Sequence, residues 1–145
     1  MNTPPRINHE IEYKVYGEEL QFVEIELDPT ETAIAESGAM MMMDDGITMQ
    51  TIFGDGSAQQ PTGFLGKLVS AGKRVLTGES LFMTAFTNDG QGKKKVSFAA
   101  PYTGKIIPLD LQNLGGTIIA QKDAFLCAAK GVSVGIHFQR KLGVG

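Results

Sequence analysis

Cysteine, histidine and long hydrophobic runs are all scarce in this chain of 145 residues. A single cysteine, Cys127, rules out an intrachain disulfide and makes a reducing compartment the simpler assumption. It lies inside the apolar run Ala124-Phe-Leu-Cys-Ala-Ala, where a thiol reads as a small buried hydrophobe and not as a nucleophile. The only two histidines are His9, in an N-terminal stretch expected to be mobile, and His137, on the polar side of an alternating run. Metal chemistry in a β-barrel needs several convergent His and Glu ligands, so no metal and no cofactor is expected. No apolar run approaches the ~20 residues of a membrane span. The N-terminal stretch has neither the apolar core of a signal peptide nor the Arg-rich character of a transit peptide, so the cytoplasm is the expected location. Basic excess is missing too: the net charge is −3 and the pI near 5.3, unlike the footprint of a phosphate-backbone binder.

Glycine, by contrast, is abundant. Eighteen glycines and six prolines imply many short elements joined by tight turns, and 42% hydrophobic with 20% charged residues suits one globular domain over 1–145. Alternation of period two dominates. Ile11, Tyr13 and Val15 alternate with Glu12, Lys14 and Tyr16; after Gly17-Glu-Glu, Val23, Ile25 and Leu27 alternate with Glu24, Glu26 and Asp28. The second run reads as a strand with one core face and one acidic, solvated face. Met40 to Met43 lacks alternation, which predicts a strand covered on both faces, and Asp44-Asp-Gly46 predicts a tight hairpin turn. Ser80 to Thr87 is apolar on both faces and reads as a central strand. After the turn Asn88-Asp-Gly-Gln-Gly92, the lysines Lys93, Lys94 and Lys95 are expected on a hairpin rim, guarding a sheet edge. Ile107, Leu109 and Leu111 predict a further strand, with Pro108 placing it at an edge or a bulge.

The chain also repeats itself. Displaced by 85 positions, Thr32 to Met42 falls without a gap on Thr117 to Cys127, with Thr, Ile and two Ala in register. The turn glycines Gly46 and Gly131 keep the same offset. An internal duplication of this kind predicts two versions of one β-unit, near 8–60 and 95–145. Between them one short amphipathic helix is predicted near 64–76. Phe64, Leu65, Leu68 and Val69 lie on its apolar side, a candidate oligomer or partner surface. Lys67, Lys73 and Arg74 lie opposite and, with Lys93 to Lys95, are candidate contacts to an anionic surface. Motifs that carry chemistry do not surface: Gly54-Asp-Gly56 has no P-loop lysine or GxGxxG continuation, and Asp44-Asp45 lacks the spacing of a calcium loop.

The stretches Glu19 to Pro29, Glu36 to Met40, Gly78-Glu-Ser-Leu-Phe-Met-Thr-Ala-Phe-Thr-Asn88 and Pro108-Leu-Asp-Leu111 together resemble the bacterial family related to the fungal altered-inheritance-of-mitochondria proteins. That family is placed in the superfamily named after the tryptophan RNA-binding attenuation protein, TRAP. The resemblance implies an all-β, TRAP-like sandwich with internal duplication, assembly into trimers, and further strands beyond a segment such as Phe138 to Gly145. It carries no catalytic motif. Nor does it carry RNA binding, because the acidic strand face does not reproduce a ring of basic groups. The expected function is therefore a non-enzymatic, homo-oligomeric scaffold or interaction module, with peripheral membrane association and small-ligand binding as the alternatives.

Overall fold

A computed structural model describes residues 9–53 and 82–135. The architecture is all-β: two four-stranded antiparallel sheets packed face to face. In chain order the strands are β1 (Glu12–Gly17), β2 (Gln21–Leu27), β3 (Thr32–Ala35), β4 (Met40–Met43), β5 (Ile47–Phe53), β6 (Phe82–Asn88), β7 (Lys94–Ala99) and β8 (Cys127–Ala129). Sheet A runs β1-β2-β7-β4 and sheet B runs β5-β6-β3-β8. The predicted helix near 64–76 lies outside the described residues.

Period-two alternation builds the core. On β2, Val23, Ile25 and Leu27 turn inward while Glu24 and Glu26 turn outward. Val96 and Phe98 of β7 stand opposite Ile25 and Val23 in register and extend the same apolar face. Sheet B answers with Ala33, Ala35, Ile47 and Phe86. The rings of Phe86 and Phe98 meet across the sandwich edge to face, with centroids 5.0 Å apart. β6 is central, as its unbroken apolar character predicts, and Met83 and Phe86 are both fully buried although they point to opposite faces.

Between successive described strands five connections pass from one sheet to the other, and at three of them simple hairpin expectations fail. The Asp28-Pro-Thr-Glu31 turn joins β2 of sheet A to β3 of sheet B. Thr30 takes a φ of 74° in it, a conformation that an L residue keeps only when its surroundings hold it there. Asp44-Asp-Gly46 does form a tight turn, with Ile47 N donating to Asp44 O at 3.4 Å and Gly46 at a φ of 97°, but it crosses from β4 in sheet A to β5 in sheet B. The expected hairpin is thus absent because each strand finds its ladder partner elsewhere. Residues 89–93 cross likewise between β6 and β7.

Asn88 ties two of these crossings together. Its fully buried side chain donates from Nδ2 to Leu27 O and to Gly92 O, each at 2.8 Å, and its Oδ1 accepts from Gly90 N at 2.9 Å. Its main chain accepts from Thr30 N and donates to Glu31 O. A buried amide so fully partnered stabilises the crossing, whereas an unpartnered one would cost about 1–3 kcal/mol.

Two further expectations are corrected. Met40 to Met43 is not covered on both faces: β4 is an edge strand whose register slips between Met40 and Met42, and Met41 and Met42 are 46% and 52% exposed. The missing alternation reflects a bulge and not burial. His9 is held in place: its N donates to Lys130 O at 2.7 Å and its Nδ1 accepts from Thr32 N at 3.0 Å, tethering the N-terminal end to sheet B.

Candidate interaction surface

A β-sandwich exposes its strand edges, and each edge carries unpaired main-chain donors and acceptors. Among the described residues the edges are β1 and β4 of sheet A and β5 and β8 of sheet B. Three of them are blunted. β1 carries Glu12 and Lys14, with the Lys14 ammonium 5.0 Å above the Tyr16 ring and that ring stacked on Phe22 of β2. β4 has four residues and a bulge, and β8 has three residues. β5 differs: it has seven residues, Ile47-Thr-Met-Gln-Thr-Ile-Phe53, paired with β6 at every position without a slip and free of charge. Thr48, Met49, Gln50 and Thr51 are all exposed. The sequence reading passes over this run; seven residues without a charge are the signal that could have marked it, and only its position at the end of the sheet gives it significance.

The lysines predicted to guard an edge do something else. β7 lies between β2 and β4, so Lys93 to Lys95 flank or begin an interior strand, and the edge role is corrected. Lys93 Nζ lies 3.2 Å from Glu26, 3.6 Å from Glu12 and 3.9 Å from Asp28, and Lys95 Nζ lies 3.2 Å from Glu24. Glu12 and Glu26 oppose each other in the β1–β2 register, a like-charge pairing that Lys93 relieves. The hydrogen bond from Lys93 lowers the Glu26 pKa below the usual carboxylate range, and the same bond raises that of Lys93. Lys95 is raised by its bond to Glu24. Lys94 points toward the inter-sheet seam, where its stem packs over Gly46 and Gly90. Two of the three lysines are thus engaged by neighbouring carboxylates and the third packs over glycines, while Lys67, Lys73 and Arg74 lie outside the described residues, as do Phe64, Leu65, Leu68, Val69 and His137.

Cys127 is half-buried on β8, and burial pushes its thiol up to about 12, so at neutral pH it stays protonated. Among the described residues, no group of three or more His, Cys, Asp or Glu is placed to hold a metal ion. Among the same residues, no helix is long and apolar enough to cross a membrane.

A second exposed region lies between β7 and β8. Residues 104–110, where a strand with alternating Ile107, Leu109 and Leu111 is expected, make no ladder, and Ile107 and Leu109 face solvent. Leu111–Leu114 is a 3-10 turn capped by the Asp110 carboxylate, which accepts from Gln112 N. Asp110 competes for the main chain here and ends the extended run. Thr117 to Ala120 and Val132 to Gly135 are likewise outside any strand.

Comparisons with known proteins place the chain. A crystallised protein from Streptococcus pyogenes shares 20% identity with it at a TM-score of 0.46, covering 68% of this chain and 41% of that one. An uncharacterized protein of Streptococcus pyogenes serotype M6 is 35% identical over 91 residues, 61% of this chain. The matched part makes up 34% of that relative, so the chain spans about a third of its length. The mitochondrial biogenesis AIM24 family model matches residues 13–145, nearly the whole sequence, and the chain belongs to that family.

Proposed function

We propose that this chain is a non-enzymatic, homo-oligomeric β-scaffold, an interaction module whose work is done by its sheet edges. The observation that carries this reading is where apolar surface is left exposed. Met41, Met42 and Met49 lie on edge strands, and Ile107, Leu109 and Ile119 lie in extended segments without a ladder. Exposed apolar residues gathered along unpaired backbone suit association with another chain. Membership of the family supplies no reaction, and the exposed surface is what supports the scaffold role. Light scattering on the purified chain at roughly tens of micromolar tests the reading: a discrete oligomer is expected, and a clean monomer overturns it.

A further inference from the structure

The reading as a homo-oligomer leaves open which surface joins the copies, and the inference here rests on that reading. We propose that β5 pairs with β5 of a second copy of this chain, antiparallel and about a two-fold axis at Gln50. The two B sheets then become one continuous eight-stranded sheet, four strands from each copy.

The main-chain geometry assigns the free side of β5. Asp89 N donates to Gly46 O, which marks the 46/89 pair as one whose amides face each other across the β5–β6 ladder. Asn88 instead directs its N–H and C=O to Glu31 and Thr30, on the β3 side. Antiparallel ladders alternate in this respect. Counting along the slip-free register, Thr48, Gln50 and Ile52 bond to β6, while Met49, Thr51 and Phe53 direct their N–H and C=O groups to the open edge.

The sequence of β5 is complementary to itself in this arrangement. About Gln50, Met49 of one copy faces Thr51 of the other, and Thr48 faces Ile52. The Met49–Thr51 pair is of the kind that exchanges both hydrogen bonds. No residue from Ile47 to Phe53 is charged, so no like charges meet between the two paired strands. Met49 is 44% exposed, an apolar side chain beside the unpaired edge that a second strand would cover. The other edges lack this combination, since β1 is charged, β4 bulges and β8 is short.

The experiment combines light scattering with hydrogen exchange on the wild-type chain, Gln50→Lys, and Met42→Lys as a control on the β4 edge. Expected are a wild-type particle of twice the chain mass and Met49 and Thr51 amides that exchange more slowly as concentration rises. Gln50→Lys sets two ammonium groups face to face at the axis; it is expected to halve the mass and remove that protection, with far-UV circular dichroism unchanged. Met42→Lys is expected to leave the mass unchanged. An oligomer that survives Gln50→Lys, a discrete trimer, or Met49 and Thr51 amides unprotected in the assembled particle overturns β5 pairing while the scaffold reading stands. A monomeric wild type overturns both. The exchange measurement needs no variant, so it decides even if Gln50→Lys folds poorly.

Discussion

Ile34 and Ile119 occupy matching positions of the internal repeat, yet the first is fully buried and the second is 68% exposed. Around Ile34 the backbone is β3, paired on one side with β6 and on the other with β8. Around Ile119 the backbone makes no ladder. The two regions nevertheless share their local features. The offset of 85 carries the 3-10 turn Ser37–Ala39 onto the 3-10 turn Lys122–Ala124, and Gly46 at a φ of 97° onto Gly131 at 105°. What similar sequence reproduces is the turn; what it does not reproduce is the strand. Turns are stabilised within a few residues, whereas a strand requires neighbours that supply half its hydrogen bonds and cover its apolar side.

The largest difference between the two regions is expected at the two isoleucines. Ile34→Ala is expected to cost about 2–5 kcal/mol in chemical denaturation, because it empties a fully packed site. Ile119→Ala should change stability by no more than about 0.5 kcal/mol, as exposed positions do. Similar losses at both positions would mean that the second region is packed in solution. An intermediate effect is expected at the shared turns. Gly46→Ala and Gly131→Ala each force a side chain into a positive φ, at about 1–2 kcal/mol. Gly46→Ala meets in addition the Lys94 stem, 3.3 Å from the new Cβ, and thermal melts of each variant beside the wild type check the losses.

The smallest effect is expected on the outer face of sheet A, where exposed charges add little beside the core. Lys93→Met removes the cation shared by Glu12, Glu26 and Asp28. Glu26 titrates lower in the folded chain than in the unfolded one, so its contribution is complete above the ordinary carboxylate range and fades as pH falls through the folded value. Lys93 titrates higher when folded, so its contribution is complete below the ordinary lysine range and fades as pH rises through the folded value. The variant should therefore lose a small stabilisation at neutral pH that salt also removes, because these groups are exposed and screened. Melts at low and high salt check this, and a salt-insensitive loss would indicate packing of the lysine stem instead.

Much of the fold was legible in advance where a local pattern and its partner agree. Val23, Ile25 and Leu27 announced an inward face, and the apolar Phe82 to Thr87 announced a central strand, because burial on one or both faces leaves its period in the residues themselves. Met40 to Met43 misled because a bulge and double-sided burial erase alternation equally well. Asp44-Asp-Gly46 signalled a turn, but no property of a turn says whether the next strand returns to the same sheet. Lys93 to Lys95 looked like edge protection because a lysine cluster is identical in sequence whether it borders solvent or faces Glu24 and Glu26. Asn88 read only as a turn residue; its links to Leu27, Gly90 and Gly92 join segments up to 61 positions apart.

An all-β chain, the inward residues of β2 and the turn glycines are written in the residues themselves, since they depend on period-two burial and on local φ. Tertiary structure alone decided which strands lie at the edges, which carboxylates claim Lys93 and Lys95, and which copy of the repeat is packed. Those outcomes depend on contacts between residues distant in the chain. Two similar segments, Thr-Ala-Ile-Ala at Thr32–Ala35 and Thr-Ile-Ile-Ala at 117–120, become a buried β3 and an open stretch according to whether a neighbouring strand completes the ladder.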